Sequence, residues 1–315
     1  MKRFWAAISL LCLLVFFGGC SGSETPPEIV SGGDEDTLPP LTVTVLDVGK
    51  ADVILIRCGD NALMVDAGEA KDAAELLEFL ENEGVRRLDY LILTHLDKDH
   101  IGGAGPLLRA IPVERVIQSH NTEDSKAFAD YQAACREKGL TPTRLRKNWE
   151  IDWARAHMRL LPAAQDTYTD DNDYSIMTEM TYGRHRFLLA GDATGARLRE
   201  YLDGDVQPVD FLKVPHHGRI DPMSAAFLRA VKPDYAAITC SKKKPPDEEL
   251  LALLRDIFND AGTYPTYQQR ANAACRSGIN EFEIISNKRP RERWKSSAEN
   301  WNGGAPHSQD FSPRL

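Results

Sequence analysis

The segment from Leu88 to Gly103, LDYLILTHLDKDHIGG, limits what this chain can fold into more than any other. Its first half is a short apolar run, too short for a free-standing helix, and reads as a buried strand. His95, Asp97, Asp99 and His100 crowd the end of that strand, and Gly102-Gly103 then lets the backbone turn sharply. Imidazole nitrogens and carboxylate oxygens are the donors that hold zinc, manganese or iron, depending on how many of each are supplied. A lone His-x-Asp is an ordinary polar loop. This many donors at one strand end, all needing desolvation together, specify a metal site.

The same design recurs later in the chain. Val209 to Val214 reads as a buried strand followed by His216, His217 and Gly218, and Arg186 to Ala190 as one followed by Gly191-Asp192. Adjacent residues on an extended strand point opposite ways, so it stays open which of His216 and His217 ligates. Further strands are expected at 41–49, 53–58, 61–68, 113–117, 235–240 and 279–285, with Lys50-Ala51-Asp52 and Gly59-Asp60 as turns. Amphipathic spacing predicts helices at 71–84, 101–110, 125–139, 196–201, 224–231 and 248–261. His120 falls just past a strand, where it can approach a metal; His185 is expected to face solvent near a hairpin turn. Lys242-Lys243-Lys244 reads as a solvated run, with contact to an anionic substrate as the alternative.

His95-Leu-Asp97-Lys-Asp99-His100 resembles the His-x-(His/Asp)-x-Asp-His signature of the metallo-β-lactamase superfamily. Asp in its third place is similar to the branch typified by the C-terminal hydrolase domain of ComEC-type competence proteins. Leu46-Asp47-Val48-Gly49, Val65-Asp66-Ala67-Gly68, Asn172-Asp173-Tyr174-Ser175 and Leu212-Lys213-Val214-Pro215-His216-His217-Gly218 extend the resemblance over residues 41 to 286. Lys50-Ala51 stands where such proteins carry Gln-Gly, and Pro245 where they carry a His.

The resemblance implies an α/β fold, the metallo-β-lactamase-like αβ/βα four-layer sandwich. It implies two divalent metal ions, Zn or Mn, held by His95, Asp97, Asp99, His100, Asp192 and His217, with Asp192 bridging and Asp66 structural. The third His of the superfamily has no match, and Asn172 or Asp173 occupies that region; His120, Lys50 and Lys213 are further candidates for metal or substrate contact. The implied reaction is hydrolysis by a metal-bound hydroxide, with Asp99 orienting the water and His216 or His217 protonating the leaving group. A phosphodiester, including DNA, is the substrate the resemblance favours. A surface phosphocholine or phosphoglycan esterase, or a lactone, thioester or β-lactam hydrolase, is the alternative, and a non-catalytic binding domain ranks last.

The N-terminus sets an expected location. Met1-Lys2-Arg3, an apolar stretch to Phe17 and Gly18-Gly19-Cys20 resemble a bacterial lipoprotein signal over 1–19, with Cys20 as the lipidation site. Residues 20–40, rich in Ser, Gly, Pro and acid, read as a flexible tether, 41–287 as the folded domain and 288–315 as a disordered tail. The expectation is an extracytoplasmic monomer anchored to the cell membrane by lipid alone, since no later apolar run approaches spanning length. Four remaining cysteines, Cys58, Cys135, Cys240 and Cys275, permit disulfides in that compartment. A net charge of −9 argues against a protein that coats nucleic acid non-specifically.

Overall fold

Continuous apolar runs make strands buried on both faces, and the amphipathic runs make the helices that cover them. The computed structural model describes residues 40–258 and the backbone of the strands at 263–265, 271–275 and 282–286. The signal, Cys20, the tether up to residue 39 and the expected tail lie outside the described residues. The chain begins β1 (Leu41–Val45), β2 (Ile54–Cys58), β3 (Asn61–Val65), α1 (Ala73–Asn82), β4 (Leu88–Leu93), α2 (Lys98–Ile101), α3 (Ala104–Ala110), β5 (Val113–Gln118), α4 (Lys126–Glu137) and β6 (Thr143–Arg144). It continues β7 (Trp149–Trp153), β8 (Ala156–Leu161), β9 (Met177–Tyr182), β10 (His185–Leu189), α5 (Gly195–Leu202), β11 (Phe211–Lys213), α6 (Ser224–Val231), β12 (Tyr235–Ile238) and α7 (Glu248–Phe258). The strands β13 (Thr263–Pro265), β14 (Ala271–Cys275) and β15 (Phe282–Ser286) close it.

These strands form an eight-stranded sheet, β15-β14-β1-β2-β3-β4-β5-β6, and a seven-stranded sheet, β13-β12-β11-β10-β9-β8-β7. Alternation along each strand sorts its residues between layers. Ile54, Ile56 and Ile92 of the first sheet meet Met158, Met180 and Phe187 of the second in one apolar core. Leu55, Leu91 and Leu93 point the other way, into a core shared with Leu76 and Leu80 of α1 and Tyr131 of α4. Leu188, Leu212 and Ile238 do the same in the second sheet, under Leu198 of α5, Phe227 of α6 and Leu254 of α7. Helices, sheet, sheet, helices: this is the expected four-layer αβ/βα sandwich.

Several elements differ from the sequence expectation. The first strand stops at Val45, four residues early, because 46–53 form a loop that enters the site. The helix expected at 101–110 is two helices, α2 and α3, parted at Gly102-Gly103. A Cβ on Gly103 would stand 2.1 Å from Ala67 O, so only glycine allows this approach. β6, β7 and β8 have no counterpart in the sequence reading: β6 is two exposed polar residues, and in β7 and β8 Glu150, Asp152 and His157 on the exposed side break the apolar pattern. His185 is largely covered rather than solvent-facing, with its side chain 12 % exposed and Nδ1 3.3 Å from Asp210 Oδ1. Cys58 and Cys135 are buried free thiols, so neither takes part in a disulfide. Lys242, Lys243 and Lys244 are exposed, as a solvated run should be. No helix among the described residues is long and apolar enough to cross a membrane.

Candidate metal centre

Strand direction brings the predicted donors together. β3 and β4 run parallel, as do β10, β11 and β12, so the loops after all five leave from carboxyl ends. The register Val45–Ile54–Val65–Ile92 places the β1–β2 loop at that same end of the first sheet. Asp66, the His95–His100 loop, Asp192 and the His216-His217 turn follow from these ends. Residues far apart in sequence therefore share one edge.

Hydrogen-bond accounting then fixes which ring nitrogens are available. Thr94 N and Oγ1 donate to the two oxygens of Asp66, at 2.8 and 2.7 Å, so Thr94 Oγ1 can only accept from His95 Nδ1, 3.1 Å away. His100 Nδ1 donates to Asp66 Oδ2 at 2.7 Å. His217 Nδ1 donates to Thr239 O at 3.0 Å. In each neutral ring the proton therefore sits on Nδ1, which leaves Nε2 as a lone-pair donor, the arrangement that orients metal-binding histidines. His95 Nε2, His100 Nε2 and His217 Nε2 are buried and make no hydrogen bond. A buried polar atom without a partner is costly, unless something outside the chain completes it.

The spacing suits an ion. Asp192 Oδ2 is 2.7 Å from His217 Nε2 and 3.3 Å from His100 Nε2, and Asp99 Oδ2 is 3.5 Å from His217 Nε2. Bonds of about 2.0–2.1 Å to a tetrahedral ion put donors roughly 3.4 Å apart. His95 Nε2 and Asp97 Oδ2, 3.8 Å apart, flank this set, with the His95 and His100 rings 4.0 Å apart. All six residues expected as ligands meet in one place. The donor set, two imidazoles with two carboxylates and a further His-Asp pair beside it, fits divalent zinc or manganese.

Asp52 is the residue that sequence reading missed. It clusters with His100, Asp192 and His217, their donor atoms all within 4.8 Å of one another. Its place, however, is behind the imidazoles. Asp52 Oδ1 is 3.5 Å from His217 Nδ1 and Oδ2 is 3.9 Å from His100 Nδ1, on the side away from Asp192 Oδ2. Lys213, fully buried, lies between the acids: its Nζ pairs with Asp52 Oδ2 and donates to Gly191 O at 2.9 Å and Asp192 Oδ1 at 3.2 Å. Lys213 thus holds one oxygen of Asp192 and leaves the other for the imidazole side. Being buried, it touches no substrate, which corrects the expectation of a substrate contact.

Charge follows from these neighbours. Burial opposes a charge on His100 and His217, but the surrounding acids together outweigh it and raise both pKa values: Asp192, Asp66 and Asp52 for His100, and Asp192, Asp99 and Asp52 for His217. Burial also opposes the Asp192 charge, and His217, His100 and Lys213 hold its carboxyl well below the usual range. His95 is pushed well down by burial and by His100, and so is neutral. Burial lifts Asp97 to about 6, with Asp99, Asp192 and Asp171 adding to it against His100. Asp99 is held low by His217 and Lys50 despite its burial. A divalent ion would replace the protons on His100 and His217, so binding here is coupled to proton release.

Four other expected residues fall outside the donor set. Asp173 accepts from Thr194 N, Thr194 Oγ1 and Arg197 N at 3.1, 2.6 and 3.2 Å, which makes it the cap of α5 rather than a ligand. Asn172 turns its amide to Asp170 Oδ1 at 2.8 Å. His120 is buried against Tyr174, with Nε2 3.1 Å from Gln165 O. His216 is not beside His217 on a strand at all. Both sit in a 3₁₀ turn, Pro215–Gly218, with left-handed φ of 47° and 54°. That conformation, uncommon without glycine, aims His217 into the donor set and leaves His216 half-buried at its margin, where burial lowers its pKa and keeps it neutral. Lys50 does reach the site: Nζ is 2.7 Å from Asp99 Oδ2.

A sandwich with metal donors at the carboxyl ends of both sheets defines a class, and comparison with known proteins agrees. The chain belongs to the metallo-beta-lactamase superfamily, whose family model matches residues 46–241. It is 28% identical to Recombination protein 2 of Haemophilus influenzae over 212 residues, 66% of this chain and 25% of that protein. It is 30% identical to ComE operon protein 3 of Bacillus subtilis over 188 residues, 57% of this chain and 24% of that one. The chain thus spans about a quarter of the length of these relatives, and its resemblance to ComEC-type competence proteins holds. Among solved structures it is similar to the metallo-beta-lactamase fold protein YhfI of Bacillus subtilis, with a TM-score of 0.52 at 15% identity over 72% of this chain and 95% of that one.

Proposed function

We propose that the domain is a metal-dependent phosphodiesterase, with DNA among its candidate substrates. The observation that carries this reading is the convergence of the buried Nε2 atoms of His95, His100 and His217, none of them hydrogen-bonded, on the side of Asp192 Oδ2. Asp99, His100, Asp192 and His217 would hold one divalent ion, and His95 and Asp97, with Asp192, a second of Zn or Mn. Such ions supply a water that ionises near neutral pH and stabilise charge developing at phosphorus. His217 is committed to the metal and Thr239, which leaves His216 as the ring able to touch substrate. Its neutral form suits taking or relaying a proton at the margin of the site.

Similarity to competence proteins favours a phosphodiester over a lactam or lactone, and the Lys50 ammonium beside Asp99 favours an anionic substrate. The lipoprotein-like N-terminus supports action outside the cytoplasm at a membrane surface, reached through a lipid on Cys20. The test is a panel of plasmid DNA, bis-p-nitrophenyl phosphate and nitrocefin, with added manganese or zinc and Asp99→Ala as control. Cleavage of the first two by the parent and not by the variant is expected. Turnover of nitrocefin alone, or a variant as fast as the parent, overturns the reading.

A further inference from the structure

Lys50 stands in a position that no ligand assignment uses. Its Nζ is 2.7 Å from Asp99 Oδ2, the same oxygen that lies 3.5 Å from His217 Nε2 and would bind an ion. The side chain is 24 % exposed, against 12 % for Asp99 and at most 2 % for His100, Asp192 and His217. The base of the loop is fixed: Asp52 N donates to Asp99 O at 3.1 Å and Gly68 N to Asp52 O at 2.9 Å. The loop is thus tied to α2 at Asp52, two residues beyond Lys50, while the flexible stem of Lys50 lets its ammonium move. On another side stand acids, Asp97 with its side chain 41 % exposed and Asp171 close enough to act on its charge. An anionic group approaching Asp99 therefore meets repulsion from the Asp97 side and attraction from Lys50.

We propose that Lys50 is a specificity residue with two successive partners: Asp99 Oδ2 before an ion is bound, and a non-bridging oxygen of an anionic phosphoryl group once the ion has taken that oxygen. The ammonium and the ion contend for one carboxylate oxygen, so Lys50 weakens the ion's hold. Once displaced, it offers a compact, strongly donating cation at the mouth. The site accordingly selects substrates charged at the scissile group over neutral esters and lactams. This inference rests on the metal-dependent reading above.

The test is calorimetric and needs no turnover. Manganese, then inorganic phosphate, is titrated into the chelator-stripped protein, its Lys50→Gln variant and its Lys50→Arg variant. Lys50→Gln is expected to bind manganese about tenfold more tightly, because a like charge a few ångströms from the ion is gone. The manganese-loaded Lys50→Gln protein is expected to bind phosphate at least about fivefold more weakly, and Lys50→Arg to retain it, since the charge-assisted hydrogen bond survives only in the latter. Manganese and phosphate affinities of Lys50→Gln within twofold of the parent overturn the role of Lys50 and leave the metal site standing. A parent that binds neither manganese nor zinc overturns both.

Discussion

Replacing Lys213 by Met tests the charge arrangement behind the metal donors. Met matches the length of the lysine stem, so the substitution leaves little cavity and removes chiefly the ammonium. That ammonium donates to Gly191 O and Asp192 Oδ1 and pairs with Asp52, and both carboxylates are at most 2 % exposed. Without it two buried acids face each other across the imidazoles. Breaking a buried pair in this way costs about 3–5 kcal/mol, whereas a surface pair contributes under about 1 kcal/mol. For a domain of this size the loss corresponds to roughly 6–20 °C in Tm. Urea unfolding of the chelator-treated parent, Lys213→Met, Asp52→Asn and the double variant measures it. The double variant is expected to regain at least about 1.5 kcal/mol relative to the sum of the singles, because residues in contact couple. A Lys213→Met loss below about 1 kcal/mol, or strict additivity with Asp52→Asn, would refute the reasoning.

Asp173→Ala should cost about 1–2 kcal/mol through loss of the α5 cap and leave manganese affinity within about twofold; a tenfold fall in affinity would place Asp173 at the ion instead. Gly103→Ala forces a Cβ to 2.1 Å from Ala67 O, so the chain should lose more than about 2 kcal/mol in a thermal melt, and parent-like stability would contradict the close approach. Asp97 has a folded pKa of about 6, above its ordinary value, so the folded chain binds more protons than the unfolded chain between about pH 4 and 6. The metal-free parent therefore loses stability from this group as pH rises through that window, and the advantage of Asp97→Asn over the parent should grow from about pH 4 to 7. An advantage that is flat with pH in paired thermal melts would sink that assignment.

The candidate donors were legible where one physical signature marks them: an apolar strand that ends in imidazole or carboxylate with glycine beside it. In His95 through His100 and in His217 the glycine follows the donors, and in Gly191-Asp192 it precedes the acid. The sandwich followed from their resemblance to one family. Asp52 carries no such mark. It sits in a turn and reaches the site only through the register of β1, β2 and β3, though an acid set between Ala51 and Val53 at the head of an apolar strand was a usable hint of burial. Asp173 was misread because its partners at α5 lie 21 to 24 residues away, beyond any local pattern. The split roles of His216 and His217 depend on left-handed backbone angles that two non-glycine residues would not be expected to share. β7 and β8 were hidden by the charged residues on their exposed face.

The central claim is that the Nε2 atoms of His100 and His217, with Asp192 Oδ2 and Asp99, hold a divalent ion. Anomalous scattering from a crystal soaked in manganese tests it most directly. The account predicts a peak at bonding distance, about 2.0–2.3 Å, from those nitrogens and oxygens, with Lys50 displaced from Asp99. A crystal with no peak at His100 and His217, or with its peak on the Nδ1 side beside Asp52 and Lys213, would contradict it.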